Sequence, residues 1–245
     1  MSLPTIIAHR GASGHAPENT LAAFAKAAEL GAQWVEFDCM LAGDDTIVIH
    51  HDESLLRITG AELMIAESSV SKIKALDAGS WYGEEFHHEK VPTLAETLDI
   101  LVAVRLGANI EIKPSKGTDR ETGKAIAEQV IKRWPSHIPA PVISSFSEEA
   151  LMESLKILPD VEHAILWEGV PDDWRDALQR IGATAIHCEG KLLSEDQVRA
   201  IKADGLPLRC YTVNDVELGR RLLSWGVDAL ITDFPERFLE LTAGR

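Results

Sequence analysis

The chain has 245 residues, with 24 Lys and Arg against 39 Asp and Glu, a net charge of −15 at pH 7 with His neutral. At 45% hydrophobic and 26% charged residues it has the make-up of a globular protein long enough to bury a core without staples. The acidic balance argues against nucleic-acid binding, which needs a basic face, no apolar run approaches the roughly 18 residues of a membrane span, and the widely spaced Cys39, Cys188 and Cys210 form neither a disulfide framework nor a zinc motif.

In chain order, short β-branched runs alternate with helical patterns. Strands are predicted at Thr5–His9, Gln33–Cys39, Thr46–His50, Ala108–Ile112, Val142–Ser145, His163–Trp167, Ala183–His187, Leu208–Thr212 and Ala229–Thr232. Amphipathic stretches between them predict helices at Thr20–Leu30, Asp119–Trp134, Glu148–Leu158, Asp172–Ile181, Glu195–Ala203 and Asp215–Trp225. Gly31, Gly182, Gly205 and Gly226 close four of these, as C-terminal caps do. Only Met40–Asp45 separates the second strand from the third, too little for a parallel crossover, and Gly43-Asp44-Asp45 is turn chemistry. The third strand is therefore the return arm of a hairpin. Eight parallel strands remain, the number in an α/β TIM (β/α)₈ barrel. Residues 53–92 lack a strand–helix rhythm and read as an insertion on a single barrel domain rather than a second core.

Alternation locates the chemistry. Val35, Phe37 and Cys39 share one face of the second strand, and Glu36 and Asp38 the other. In the fourth strand Ile110 and Ile112 oppose Asn109, Glu111 and Lys113. Carboxylates pointing into a barrel are costly unless paired or coordinated. A structural ion pair of Glu111 with Lys113 or Arg10 would satisfy one of them. Such charges on two strands favour an oxygen-rich cage for a hard cation, Mg²⁺ or Ca²⁺. His9 ends the first strand, followed by Arg10-Gly11, and His50-His51-Asp52 ends the hairpin arm. Strand C-terminal ends carry the active site in this architecture, so His9 and His51 beside the carboxylates read as an acid–base pair. His50 should point away from His51, so only one of the two faces the site. No Gly-x-Ser-x-Gly elbow or Gly-x-x-x-x-Gly-Lys loop is present, and Gly11-Ala12-Ser13-Gly14 is too short for a nucleotide fingerprint.

At these residues the sequence resembles the glycerophosphodiester phosphodiesterase family, of the cytosolic bacterial type. The matching pieces are His9-Arg10-Gly11, Pro17-Glu18-Asn19-Thr20, Gly31-Ala32, Glu36-Phe37-Asp38 and His51-Asp52. They continue with Leu55, Arg57 and Thr59, Gly79-Ser80-Trp81, Pro92-Thr93-Leu94, Glu111-Ile112-Lys113, Ser145-Phe146, Thr212-Val213-Asn214, Gly226-Val227-Asp228 and Thr232-Asp233-Phe234-Pro235. The order of these pieces is more specific than any one of them. The chain departs from the family's usual residues at Ala42, Asp45, Leu56 and Ile58, and at Tyr211, where Trp often precedes Thr-Val-Asn. The resemblance implies a divalent metal on Glu36, Asp38 and Glu111, with His9 and His51 as general acid and base. Arg10 and Lys113 would hold the phosphate. The implied reaction is hydrolysis of a small-molecule glycerophosphodiester to sn-glycerol 3-phosphate and an alcohol.

Two other readings share the barrel: phospholipase C- or D-like cleavage of lysolipids or phosphatidyl lipids, and a non-catalytic phosphate-binding barrel. The acidic surface and the lack of an apolar loop weigh against the first. The presence of all five of His9, His51, Glu36, Asp38 and Glu111 weighs against the second. Met1 to His9 lacks the basic start and apolar stretch of a signal peptide, so a cytoplasmic location without membrane insertion is expected. The headgroup, the choice of metal and the oligomeric state are left open by the sequence.

Overall fold

The computed structural model describes residues 3–241. In chain order the elements are β1 (Ile6–His9), α1 (Leu21–Glu29), β2 (Trp34–Leu41), β3 (Ile47–Ile49), α2 (Leu56–Thr59), α3 (Val70–Ala75), α4 (Leu94–Val104), β4 (Gly107–Ile112), α5 (Asp119–Arg133) and β5 (Val142–Ser145). Then follow α6 (Glu148–Ile157), β6 (Glu162–Trp167), α7 (Trp174–Ile181), β7 (Ala185–Glu189), α8 (Glu195–Ala203), β8 (Leu208–Tyr211), α9 (Val216–Trp225) and β9 (Ala229–Thr232). The strands form one sheet in the order β1-β9-β8-β7-β6-β5-β4-β2-β3, and a β1–β2 pairing closes it. Every pairing in the ring is parallel, while β3 runs antiparallel along the end of β2, from Cys39 opposite Ile49 to Leu41 opposite Ile47. This is the TIM barrel with a hairpin after its second strand.

Local chemistry sets the boundaries. Thr20, Ser147, Ser194 and Asp215 each accept a backbone N–H of the first helical turn with their side chains, starting α1, α6, α8 and α9. Gly182 and Gly226 end α7 and α9 in the left-handed region, at φ of 81° and 112°. Helix α4 is not singled out by periodicity, because Leu94–Val104 is apolar on most of its faces. Its start is nonetheless marked by a capping box between Thr93 and Glu96. Strand β7 begins two residues later than the β-branched run suggests. Ala183 and Thr184 form the link after the Gly182 cap, and the strand continues to Glu189, paired with Tyr211.

The apolar strand faces pack outward on the helices, through Val35, Phe37, Ile110, Ile143, Ile165 and Ile186. The inward residues divide the barrel into two levels. Ile7, Trp34, Val142, Ala164, Ala185 and Ala229 fill its floor. Gly107 is required there, because a Cβ would lie 2.3 Å from the Trp34 ring. At the C-terminal ends of β1, β2 and β4 the inward residues become polar. Between β3 and α4, the stretch carrying α2 and α3 packs on the hairpin through an apolar cluster of its own, which includes Met40, Val48, Leu55, Ile65 and Ile73. The polar residues of the sequence hid this cluster, whose members are spaced irregularly along short turns.

Candidate active site

The strand ends converge on a cavity of about 170 Å³ at the C-terminal mouth, lined on one side by His9, Arg10, Glu36, His51, Glu111 and Lys113. Register explains the convergence. His9 pairs with Glu36 across β1 and β2, and Asp38 with Glu111 across β2 and β4, so alternate inward positions fall at adjacent heights. His51 returns to the same level because β3 folds back along β2, where the His50 N–H donates to the Asp38 carbonyl at 3.0 Å. His50 turns away and its Nε2 lies 3.3 Å from the Ser54 carbonyl.

Glu36, Asp38 and Glu111 are all buried, and one oxygen of each lies within 4.8 Å of the other two. Asp38 is clasped by Arg10 Nε at 3.2 Å and Lys113 Nζ at 3.8 Å, and it accepts a hydrogen bond from Asn19 Nδ2 at 2.8 Å. Burial pushes the Asp38 carboxyl up, but Arg10, Lys113 and His51 outweigh it and hold Asp38 ionised below its usual range. Glu36 moves the other way, far above its usual value, through burial and the neighbouring Asp38 and Glu111. Glu111 is raised to about 7 by burial and Asp38, against the pull of Lys113 at 3.5 Å. The three carboxylates outnumber the two cations facing them. An all-oxygen set short of positive charge suits a hard divalent cation.

Backbone strain holds the cationic arm. Arg10 sits at φ 51° and Gly11 at φ 79°, which turns the chain sharply off β1. A non-glycine residue in this region costs of order 1–3 kcal/mol. The Arg10 N–H donates to Glu36 Oε2 at 3.0 Å, fixing the turn to the carboxylate cluster. The Arg10 guanidinium also meets Glu18 at 2.7 Å.

Both histidines are held by a carboxylate at Nδ1. His9 Nδ1 is 2.6 Å from Asp233 Oδ1, and His51 Nδ1 is 2.7 Å from Asp52 Oδ1. This leaves Nε2 of each ring for the cavity; in His9 that atom lies 3.9 Å from Glu36 Oε2. Asp52 is gripped in turn by Arg57 Nε at 2.6 Å, and the remaining nitrogens of Arg57 bind Glu18 at 2.8 and 2.9 Å. A chain of alternating charges thus runs Arg10–Glu18–Arg57–Asp52–His51. Burial, with Arg10 and Lys113 nearby, lowers the His51 pKa.

The opposite wall of the cavity is apolar, made by Phe146, Leu166, Tyr211 and Ile231. Tyr211 meets Phe146 edge-on at 6.0 Å between ring centroids, and its hydroxyl donates to the Trp167 carbonyl at 2.9 Å. The cavity therefore has a charged half and an apolar half.

All seven residues singled out from the sequence lie around this mouth. Asn19, Glu18, Arg57, Asp52, Asn214 and Asp233 have contacts there that their residue types alone did not announce. Their only signal was membership of the short ordered motifs.

The family model of the glycerophosphoryl diester phosphodiesterase family matches residues 9–237. The chain belongs to that family. It is 35% identical over 241 residues to a glycerophosphodiester phosphodiesterase of Caldanaerobacter subterraneus, covering 96% of each chain. It is 33% identical to the Bacillus subtilis glycerophosphodiester phosphodiesterase, covering 97% of this chain and 86% of that one. Among solved structures, an Oleispira antarctica phosphodiesterase in complex with the product sn-glycerol-3-phosphate superposes with a TM-score of 0.94. It is 36% identical, and the match covers 97% of this chain and 96% of that one. This chain is therefore a hydrolase of the phosphodiesterase class. No helix among the described residues is long and apolar enough to cross a membrane.

Proposed function

We propose that the enzyme hydrolyses small glycerophosphodiesters to sn-glycerol 3-phosphate and an alcohol at the barrel mouth, using His9 and His51 as general acid and base. The observation that carries this reading is one cavity lined by both histidines, two cations and two members of a three-carboxylate cluster. The product complex of the Oleispira relative supports the same substrate class. Glu36, Asp38 and Glu111 would hold a Mg²⁺ or Ca²⁺ ion, whose oxygen preference fits their donor atoms. When bound, such an ion supplies charge neutralisation and Lewis acidity at the phosphoryl oxygens.

Arg10 and Lys113 hold the phosphodiester anion and stabilise the charge that develops on its oxygens. One histidine takes the proton of the nucleophile at Nε2, and the other delivers a proton to the oxygen of the leaving alcohol. The nucleophile is water, or the glycerol 2-hydroxyl with a cyclic phosphate as first product. Asp233 and Asp52 keep the two rings aimed. The Phe146–Tyr211 wall gives the carbon skeleton an apolar surface. A cavity of about 170 Å³ suits a soluble diester better than an intact lipid, in keeping with a cytoplasmic setting.

Release of glycerol 3-phosphate from a panel of glycerophosphodiesters, alongside lysolipid in mixed micelles, tests the substrate class. Release from the soluble diesters with poor cleavage of lysolipid is expected. Equal or faster cleavage of lysolipid would overturn the proposal in favour of a phospholipase-like activity.

A further inference from the structure

We infer that Asn214 and Asp233 act as a positioning relay that fixes His9 in the tautomer with hydrogen on Nδ1 and a lone pair on Nε2. The inference rests on the reading of His9 as an acid–base group, and it adds residues 214 and 233 to the machinery. The argument is one of donors and acceptors. Asn214 Oδ1 accepts from the Asp233 backbone N–H at 3.0 Å and from Thr232 Oγ1 at 3.0 Å. The Thr232 hydroxyl already accepts from the Phe234 N–H at 3.2 Å, so its hydrogen is directed at Asn214. These contacts settle which end of the Asn214 amide is oxygen. Its Nδ2 therefore donates to Asp233 Oδ2, at 2.6 Å.

With one carboxylate oxygen taken by Asn214, the other meets Ser13 Oγ at 2.8 Å and His9 Nδ1 at 2.6 Å. An ionised carboxylate only accepts, so His9 Nδ1 must carry a hydrogen. In the neutral ring that leaves Nε2 as the acceptor. Asp233 stays ionised: burial alone would raise its pKa, but His9, Asn214 and Ser13 lower it to about 2.

The relay makes an unusual demand of Asp233→Asn. The new amide cannot turn its NH₂ towards Asn214, where it would face another NH₂. It must turn its NH₂ towards His9 and Ser13. Ser13 can accept it, since its hydroxyl hydrogen has the His9 carbonyl as an alternative acceptor at 2.8 Å. His9 Nδ1 then becomes an acceptor and its hydrogen moves to Nε2, the wrong side for a base. Adding Asn214→Asp reverses this. A carboxylate at 214 still accepts from the Asp233 backbone position and Thr232, and it also accepts the NH₂ of the new amide. That amide is then free to present its oxygen to His9.

Nitrogen-15 NMR of His9 in the full chain, at a pH where the ring is neutral, reads the tautomer directly. The wild type is expected to carry hydrogen on Nδ1, Asp233→Asn on Nε2, and the Asp233→Asn/Asn214→Asp pair on Nδ1 again. Turnover should fall in the single variant with KM little changed, by as much as the roughly 10²- to 10⁴-fold that an acid–base group is worth and by no more than in His9→Ala. It should recover in the double variant. A His9 ring that keeps hydrogen on Nδ1 in Asp233→Asn overturns the relay, as does a double variant that keeps it on Nε2. Should the single variant not fold, the double variant, which restores the donor–acceptor match, still decides. A tautomer that switches and returns while turnover stays unchanged leaves the relay standing and excludes His9 as the base.

Discussion

The two histidines at the mouth are held alike at Nδ1 but by different kinds of structure. On the His9 side, Asp233 follows β9 and Asn214 follows β8, and the bonds joining them include a backbone N–H of the barrel wall. On the His51 side, Asp52 is the next residue in the chain and its outer partner is Arg57, whose side chain is 44% exposed. Arg57 stands on α2, in the stretch that packs as its own apolar cluster on the hairpin. The barrel side is fixed by groups at the ends of the neighbouring strands β8 and β9. The inserted side is fixed by long charged side chains that water can partly replace. The difference teaches that the carboxylate on His9 is held by the barrel scaffold itself, whereas the carboxylate on His51 is held by a side chain from the stretch that packs on the hairpin.

Both histidines should be indispensable, and this is the largest effect expected. His9→Ala and His51→Ala should each lower kcat on a glycerophosphodiester by about 10²–10⁴-fold, the usual worth of acid–base catalysis. Near-normal turnover in either, with metal content unchanged, removes that ring from the mechanism.

The independence of the inserted cluster is tested at Ile73, fully buried within it. Ile73→Ala should cost about 2–5 kcal/mol of local stability. Hydrogen exchange should rise across residues 53–92 while the barrel strands stay protected. Equal loss of protection in β4 to β9 would mean that insertion and barrel unfold as one unit.

The barrel should have its own acid sensitivity. His187 is fully buried, and burial together with Arg209 lowers its pKa well below the ordinary value. His163, buried against Ser154 at 2.9 Å, is lowered by desolvation. The unfolded chain takes up these protons near pH 6.5 and the folded barrel resists them. Stability is therefore full above that pH and declines as pH falls below it, by at most about 1.4 kcal/mol per pH unit for each histidine. Urea unfolding at pH 7.5 and 5.5, followed by a barrel probe in a Glu36→Gln/Glu111→Gln background that removes the two raised carboxyls titrating in the opposite sense, measures the slope. Flat stability across this range would contradict it.

The smallest effect is expected at Arg57. Partly exposed ion pairs are worth about 0.2–1 kcal/mol, so Arg57→Ala should reduce kcat/KM only a few-fold. Added salt should shrink the difference. A loss as large as that of His51→Ala would show that the inserted side is as rigid as the barrel side.

What the sequence disclosed follows the same division. Period-two alternation in β2 and β4 placed Glu36, Asp38 and Glu111 inward, because strand geometry is local. The short turn after Met40 likewise disclosed the hairpin that brings His51 back. Asp233 and His9 are 224 residues apart, and only closure of the barrel makes them neighbours. The Glu18–Arg57–Asp52 chain depends on how the stretch after β3 folds over the mouth, and in sequence its residues stood out only as members of the ordered motifs.

The most direct test of the central claim is glycerol 3-phosphate release from glycerophosphocholine before chelation, after exhaustive chelation, and after return of Mg²⁺ or Ca²⁺. The account expects release that stops on chelation and returns with the metal, and no return in a Glu36→Gln/Glu111→Gln variant. Full release from the chelated enzyme would contradict the carboxylate cluster as a metal site, and no release under any of these conditions would contradict the proposed activity itself.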